Sequence, residues 1–302
     1  MTPLQVLPMI CLQQLGRQRL GRTPEPVQVT SAIERVVQYD QVMSTKLAVA
    51  YGAGLEIVHR AREPHSGGTA IDLACGPGHY TLCLARYLRF DGVVGIDLSP
   101  GMVAVATENA AKAGLESRVA FRLGDVTRLT GIPEASLDLA SFTDAAHHMP
   151  DLAAVTSVLR EMDRITKPGG LVMVMDLVRL RTAALTGRYV NTLGRDYVER
   201  GLPGFLEDFR NSMYAAWTAQ ELSQAIPRDS RRSWCHIVPR GLPTVQVILG
   251  LPVNRRQPFV RSGFPWEPDE NPVPREMRTE WRMLRLTLRF ASRRLVPPSS
   301  VS

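Results

Sequence analysis

The sequence is poor in several features, and each shortage excludes a class of protein. No uninterrupted apolar run in the 302 residues approaches the ~20 that a membrane-spanning helix needs. The four cysteines, Cys11, Cys75, Cys83 and Cys235, form no C-x-x-C pair. That spacing argues against a cysteine-held zinc site and against a disulfide framework, so no metal is expected, and free thiols in a reducing cytoplasm are. Met1 to Leu15 has no basic leading region, is broken by Pro3 and Pro8, and lacks a small-residue cleavage site, so it does not read as a signal peptide. No internal repeat is visible. Lysine is absent from residue 252 onward, where ten arginines against five acids supply +5 of the net +7. The basic character therefore belongs to the C-terminal segment.

The remaining composition, 44% hydrophobic and 22% charged, is that of a globular chain long enough for one large core with an appendage. Strand-like apolar runs at 69–74, 92–97, 118–123, 137–142 and 171–177 alternate with helical patterns at 79–89, 100–113 and 151–166. Such alternation predicts parallel βαβ units and an α/β fold. Asp151 is placed to cap the last of these helices, and Lys167-Pro168-Gly169-Gly170 ends it. Ser233–Val238 and Thr244–Leu249 read as a closing antiparallel hairpin.

Three parts are expected: an N-terminal arm at 1–29 with few order signals, a main domain at 30–251, and a tail at 252–302. Ser31-x-x-Glu34 is a capping box for a leading helix to about Arg62, weakened in its second half by Gly52 and Gly54. Residues 178–217 interrupt the alternation as an insert of mixed helical pieces, and Thr218-x-x-Glu221 caps another short helix. Eight prolines in the tail make 252–274 a poor core segment. An amphipathic helix is expected over 275–296, with Met277, Trp281, Leu284, Leu288, Ala291 and Leu295 on one face and Arg278, Arg282, Arg285, Arg289 and Arg293 beside it.

The most informative segment is Ala70-Ile71-Asp72-Leu73-Ala74-Cys75-Gly76-Pro77-Gly78-His79-Tyr80-Thr81. An apolar strand meets an acid and a glycine turn, and a helix opens. Gly76 and Gly78 carry no Cβ and let backbone approach a ligand. A second strand, Val93-Val94-Gly95-Ile96-Asp97-Leu98-Ser99, ends in a carboxylate 19 residues past Gly78, close to the ~20 expected of a ribose-binding acid. A pyrophosphate turn wants G-x-G-x-x-G and no nearby negative charge. Here the third glycine position is Thr81 and Asp72 would repel a phosphate. The same carboxylate suits a ligand bearing an ammonium and a sulfonium, as S-adenosylmethionine does.

At these residues the chain resembles the class I S-adenosylmethionine-dependent methyltransferases, in particular those of the small-molecule and quinone type. Their first motif reads roughly hydrophobic-D-x-G-C-G-x-G, from which this chain departs once, with Ala74 for the first glycine. The resemblance covers 70–177 strongly and 218–250 loosely. It implies a Rossmann-like seven-stranded sheet of order 3-2-1-4-5-7-6, with helices on both faces. It also implies S-adenosylmethionine as cofactor, methyl transfer to a small-molecule acceptor by in-line displacement, and a leading helix that closes over the cofactor. Tyr39-Asp40 resembles a pair found in that helix.

The cofactor residues expected are Asp72, Ala74, Gly76, Gly78, Asp97, Leu98, Met102, Gly124, Asp125, Val126 and Thr143. Asp97 is placed for the ribose hydroxyls. Gly124-Asp125-Val126 matches the family position that meets adenine, although a strand-ending aspartate also forms turns by itself. Met102 suits packing on adenine or an ordinary core contact. Thr143 and Asp144, at the end of the fourth strand, should line the ligand crevice. Asp144-Ala145-Ala146-His147-His148-Met149-Pro150-Asp151 resembles a family block ending H-H-L-P-D. His147 and His148, with Asp144, are the candidate catalytic groups, since an imidazole titrates near neutrality. Against the base role, the pair reads as a structural element that orients the loop.

Two rivals are weighed for the arginine-rich tail. A membrane-surface enzyme acting on a lipid or quinone would lay 275–296 on anionic headgroups. A nucleic-acid methyltransferase would use the arginines on phosphate, but the tail lacks lysine and interleaved aromatics beyond Trp281 and Phe290. Docking of this helix on its own domain or on a partner subunit, with the arginines in water, is expected ahead of both.

Overall fold

The computed structural model describes residues 3–25, 40, 47–63, 67–195, 197, 203–241 and 244–296. Along the chain it has α1 (Pro3–Leu15), α2 (Ala48–Ala61), β1 (Thr69–Leu73), α3 (His79–Tyr87), β2 (Gly92–Asp97), α4 (Pro100–Lys112), β3 (Val119–Leu123) and β4 (Leu137–Thr143). There follow α5 (Leu152–Ile165), β5 (Thr166–Leu177), α6 (Ala183–Leu193), α7 (Pro203–Ala215), α8 (Ala219–Gln224), β6 (Trp234–Val238), β7 (Val245–Gly250), α9 (Arg278–Arg289) and β8 (Ser292–Val296). Among the described residues the strands form one sheet of order β3-β2-β1-β4-β5-β7-β6-β8. The first five are parallel, and β7, β6 and β8 are antiparallel. The order expected from the resemblance is present, extended by one strand at the β6 edge.

The central strands are apolar runs because helices cover both faces: Ala70, Ile71, Leu73, Leu139, Ala140 and Phe142 are all essentially without exposure. On one face α5 buries Val155, Val158, Leu159, Met162 and Ile165, a three-and-four spacing, and its Asp151 cap accepts from Ala154 N at 2.8 Å. Strand β5 starts earlier than expected, at Thr166, so Lys167-Pro168-Gly169-Gly170 lies within it as an irregularity. The register moves from Leu137↔Thr166 to Leu139↔Leu171 across that point. Arg232 holds this bulge. Its buried guanidinium donates to Asp163 Oδ1 (2.6 Å) and to the carbonyls of Thr166, Lys167 and Gly170 (2.7–2.8 Å).

The tail differs from expectation in two ways. The helix ends at Arg289 instead of continuing to 296, and β8 follows, pairing Ser292↔Val238 through Val296↔Trp234. The proline-rich stretch also reaches the core: Val273 is fully buried, and Trp266 and Trp281 nearly so. Gly52 explains the seat of the tail on α2, since a Cβ there would meet Val273 Cγ2 at 2.5 Å and Trp281 Nε1 at 3.3 Å. Arg285 adds a two-point contact with Glu56, at 2.5 and 3.1 Å. Docking on the domain is therefore what α9 does.

The arm is likewise more ordered than its sequence suggests. Helix α1 buries Met9 among Leu180, Leu185, Tyr189, Val190 and Met213 of the insert. The Arg19 and Leu20 N–H groups both donate to Arg181 O, at 2.8 and 3.0 Å. The expected capping box Ser31-x-x-Glu34 and Tyr39 lie outside the described residues.

Removing Arg232 leaves Asp163 and three carbonyls without their donor. Arg232→Ala is expected to lower stability by about 3–5 kcal/mol, with Arg232→Lys recovering only part, because an ammonium cannot span the fork. Urea unfolding measures it. A loss within about 0.5 kcal/mol, as at an indifferent surface site, would contradict this role.

Candidate active site

The site is built at the carboxyl ends of β1, β2 and β4, where the crevice of an open α/β sheet lies. After β1 the chain turns through Ala74, Gly76 and Gly78, all with positive φ (51°, 53° and 83°). The two glycines serve different ends. A Cβ at Gly76 would meet nothing within 4 Å, so open space faces the turn there. A Cβ at Gly78 would strike Phe121 at 2.5 Å and Ala106 at 3.0 Å. Gly78 thus needs its missing side chain for packing against β3 and α4 as well as for its positive φ. Ala74 bears the left-handed strain of the family's glycine position, about 1–2 kcal/mol for a residue with a Cβ.

Asp97 at the end of β2 ties the turn down. Its Oδ2 accepts from Gly76 N at 2.8 Å and its Oδ1 from Ser99 N at 2.9 Å. Burial pushes its pKa up, an effect partly offset by the Ser99 and Gly76 N–H groups. Beside it Leu98 is 61% exposed, an apolar surface at the lip of the crevice, and Met102 is half-buried at the start of α4. Gly124 N donates to Asp97 O at 2.9 Å. Asp125 is exposed and its Oδ1 takes the N–H and hydroxyl of Thr127, at 2.8 and 2.7 Å, as a turn former does. Val126 is buried with Ile96 and Leu129. Asp40 accepts from Asn109 Nδ2 at 2.7 Å and lies 2.7 Å from His79 Nε2, which brings the leading segment against the helix that opens after the turn.

Asp72 lies beneath the turn, 1% exposed. Its oxygens accept from Thr81 Oγ1 at 2.7 Å and Ser141 Oγ at 2.9 Å. Burial pushes its pKa up to about 7 against those two hydrogen bonds. The carboxyl group is thus held beneath the turn by β1, α3 and β4 together.

The histidine pair divides. His147 is buried and its Nδ1 lies 2.6 Å from Asp176 Oδ1. Burial opposes the charged imidazole, but Asp176 outweighs it and raises the pKa. His148 is half-exposed, with Nδ1 2.7 Å from Glu25 Oε2. Burial would raise the Glu25 carboxyl, yet the His148 hydrogen bond and charge hold it at about 2. Asp144 has φ 49°, and burial followed by Asp176 raises it to about 7. Thr143, at the strand end, is 9% exposed.

Sequence reasoning missed Asp176, Glu25 and Arg22. Asp176 had a signal, an acid closing the apolar run Leu171–Met175 on the last parallel strand. Glu25 and Arg22 had none, because the arm reaches the site through tertiary contacts. Arg22 lies over the Trp217 ring at 3.8 Å and donates to the carbonyls of His147 (3.0 Å), Met149 (2.6 Å) and Pro150 (2.9 Å).

A family model described as a methyltransferase domain matches residues 64–231, and the chain belongs to that family. It is 27% identical over 172 residues to the 27-O-demethylrifamycin SV methyltransferase of Amycolatopsis mediterranei, covering 56% of this chain and 60% of that protein. It is 29% identical over 160 residues to the ubiquinone biosynthesis O-methyltransferase of Xylella fastidiosa, covering 52% and 61%. With the demethylmenaquinone methyltransferase of Desulfitobacterium hafniense it shares 32% over 118 residues, covering 39% and 45%. The chain thus spans at most 61% of the length of these relatives. A solved structure from Methanococcus maripaludis, assigned as an S-adenosyl-L-methionine-dependent methyltransferase, superposes with TM-score 0.55 at 21% identity, over 78% of this chain and 99% of that one. The fold is that of the class I methyltransferases, whose cofactor is S-adenosylmethionine. The residues present fit that molecule: open space before Gly76, a carboxylate at the end of β2 and the exposed Leu98 beside it.

A raised pKa at Asp72 has a consequence for stability. Between about pH 4, where the unfolded carboxyl titrates, and about pH 7 the folded chain keeps a proton that the unfolded chain releases. The stability Asp72 contributes is therefore full below about pH 4 and lost as the pH rises to about 7. Asp144 acts in the same direction, so the readout is the difference between wild type and Asp72→Asn. Unfolding in denaturant at intervals across this range should give a steeper fall for the wild type. Parallel curves would contradict it.

Proposed function

We propose that the protein transfers a methyl group from S-adenosylmethionine to a hydroxyl on a small molecule. The observation that carries this reading is the open space before Gly76 beside the turn-locked Asp97. Asp97 would hold the ribose, Leu98 and Met102 would flank the adenine, and Gly124-Asp125-Val126 would close that end. Bound, the cofactor supplies a methyl carbon already activated by its sulfonium, so alignment of the acceptor provides most of the rate. Thr143 and Asp144, with the His147–Asp176 pair behind them, belong to the acceptor side. The names of two relatives specify O-methylation or a 27-O-demethyl substrate, which supports an oxygen acceptor. His147, oriented by Asp176, and His148 are the groups able to take the hydroxyl proton.

A second reading concerns where the acceptor resides. The face of α9 turned from the domain exposes Arg282, Leu286, Arg289 and Phe290, with Arg293, Arg294 and Leu295 following. Leu286 is 54% and Phe290 68% exposed. Large apolar side chains among arginines suit an anionic lipid surface, and this supports peripheral contact with a membrane holding an apolar acceptor. No helix among the described residues is long and apolar enough to cross one. Co-sedimentation with phosphatidylcholine vesicles, with and without phosphatidylglycerol, tests it. Binding should need the anionic lipid and fall about tenfold in Phe290→Ser, from lost apolar burial. Recovery with anionic vesicles no higher than without vesicles would reject membrane contact.

For the cofactor, calorimetry should give saturable S-adenosylmethionine binding. Asp97→Ala should weaken it by about 2 kcal/mol or more, as hydrogen bonds to a charged group are lost. Absence of binding, or tighter binding of NAD, would overturn the assignment.

A further inference from the structure

We infer that Glu25, His147 and His148 form a site for one divalent transition-metal ion of the zinc class at the acceptor side of the sheet. One carboxylate and two imidazoles converge from two distant stretches, the arm and the short turn Ala146–His148 that follows β4. One ligand atom from each lies within 4.8 Å of the other two. Donors about 2.1 Å from an ion sit roughly 3.4 Å apart in a tetrahedron, so small side-chain adjustments complete the set. Glu25 Oε2 and His148 Nδ1, which share a proton at 2.7 Å, would part to about that spacing with a cation in the proton's place.

Each ligand is oriented from behind. His147 Nδ1 is taken by Asp176 at 2.6 Å, which leaves Nε2, and metal-bound imidazoles are commonly fixed by a carboxylate in this way. The other oxygen of Glu25 accepts from Ser212 Oγ at 2.7 Å. Arg22 anchors the arm to the carbonyls of His147 and Met149, at 3.0 and 2.6 Å. The rings of His147 and His148 lie 4.2 Å apart.

Charge supplies an independent observation. Asp176 is fully buried, and its Oδ2 has no hydrogen-bond partner among the described residues; the same is true of Asp144 Oδ2. Buried carboxylate oxygens left in this state are costly unless a proton neutralises them or a cation serves them. Arg22 offsets part of the negative charge of Asp176, and a dication would offset more. Two histidines and a carboxylate are a ligand set that zinc and its neighbours accept, with a fourth position open to an exchangeable oxygen. Resting on the function proposed above, that oxygen is the acceptor hydroxyl, which an ion at this place makes more acidic; its proton then passes to solvent, since the two imidazoles serve as ligands instead of bases. Metal binding itself does not depend on that reading.

The test uses the full chain, stripped with a chelator, and Co2+ as a spectroscopic probe. One equivalent should bind, with visible d–d bands, and Zn2+ should displace it. His148→Ala and Glu25→Gln alter a half-exposed and a partly buried side chain, so both should fold with little change in melting temperature and lose the bands. Asp176→Asn should weaken binding about 10–100-fold, the usual effect of removing an outer partner. Cys11→Ser, which removes an exposed thiol, should leave the bands intact. No saturable Co2+ binding, bands that survive in both His148→Ala and Glu25→Gln, or bands lost in Cys11→Ser would each overturn the proposal. Because no methyl donor is present in the assay, failure of the methyltransferase reading leaves this result unaffected.

Discussion

The structure turns on one buried carboxylate. Asp72 stands near the carboxyl end of a parallel strand covered on both faces, where an acid is expensive, and it is kept there by hydroxyls from two neighbouring elements. Thr81 comes from the first turn of α3 and Ser141 from β4. The two hydrogen bonds tie the helix after the turn to the strand that carries Thr143 and Asp144. The geometry of the turn, the position of Asp97 beside it and the floor of the crevice all follow from that link. Once ionised, an acid under the turn would also choose among ligands: it would disfavour phosphate and favour a cation, which would separate this nucleoside site from the dinucleotide sites of similar topology.

The acceptor side has a comparable concentration of acid. Asp144, Asp176 and Glu25 gather around His147 and His148, and the arm completes the group by laying Arg22 across the carbonyls of the histidine turn. The arm is therefore part of the site's architecture, joined to the insert through Met9 and Arg181. The tail stands at the other edge of the sheet. Several of its arginines are structural, Arg285 on Glu56 and Arg255 on Glu63, while Arg282 and Arg289 face outward. A net charge read from composition averages over these different uses.

Much of this was legible in the sequence because it is local. The alternation from 69 to 177 sets strand and helix by period alone, and the glycine turn with its acid 19 residues on is a short-range pattern. What was not legible depends on distant partners. Residues 292–296 continue a helical pattern, yet they pair with β6 because a sheet edge was open to them, and periodicity carries no information about an open edge. Val273 enters the core only because Gly52 leaves room for it. That glycine was visible in the sequence, but as a weakness of the helix. Glu25 meets His148 across 123 residues, a distance no motif spans. Gly78 was legible as necessary, although the reason, Phe121 behind it, was not.

The central claim is that the charge of Asp72 selects a cationic nucleoside, and one comparison of affinities tests it directly. S-adenosylmethionine and S-adenosylhomocysteine differ by the methyl group and the sulfonium charge. Titration calorimetry from about pH 6 to about pH 7.5 crosses the range in which Asp72 ionises. The affinity for S-adenosylmethionine should rise severalfold over that interval, the affinity for S-adenosylhomocysteine should rise less, and Asp72→Asn should abolish the difference between them. Equal pH dependence for the two ligands, or a difference that persists in Asp72→Asn, would contradict it.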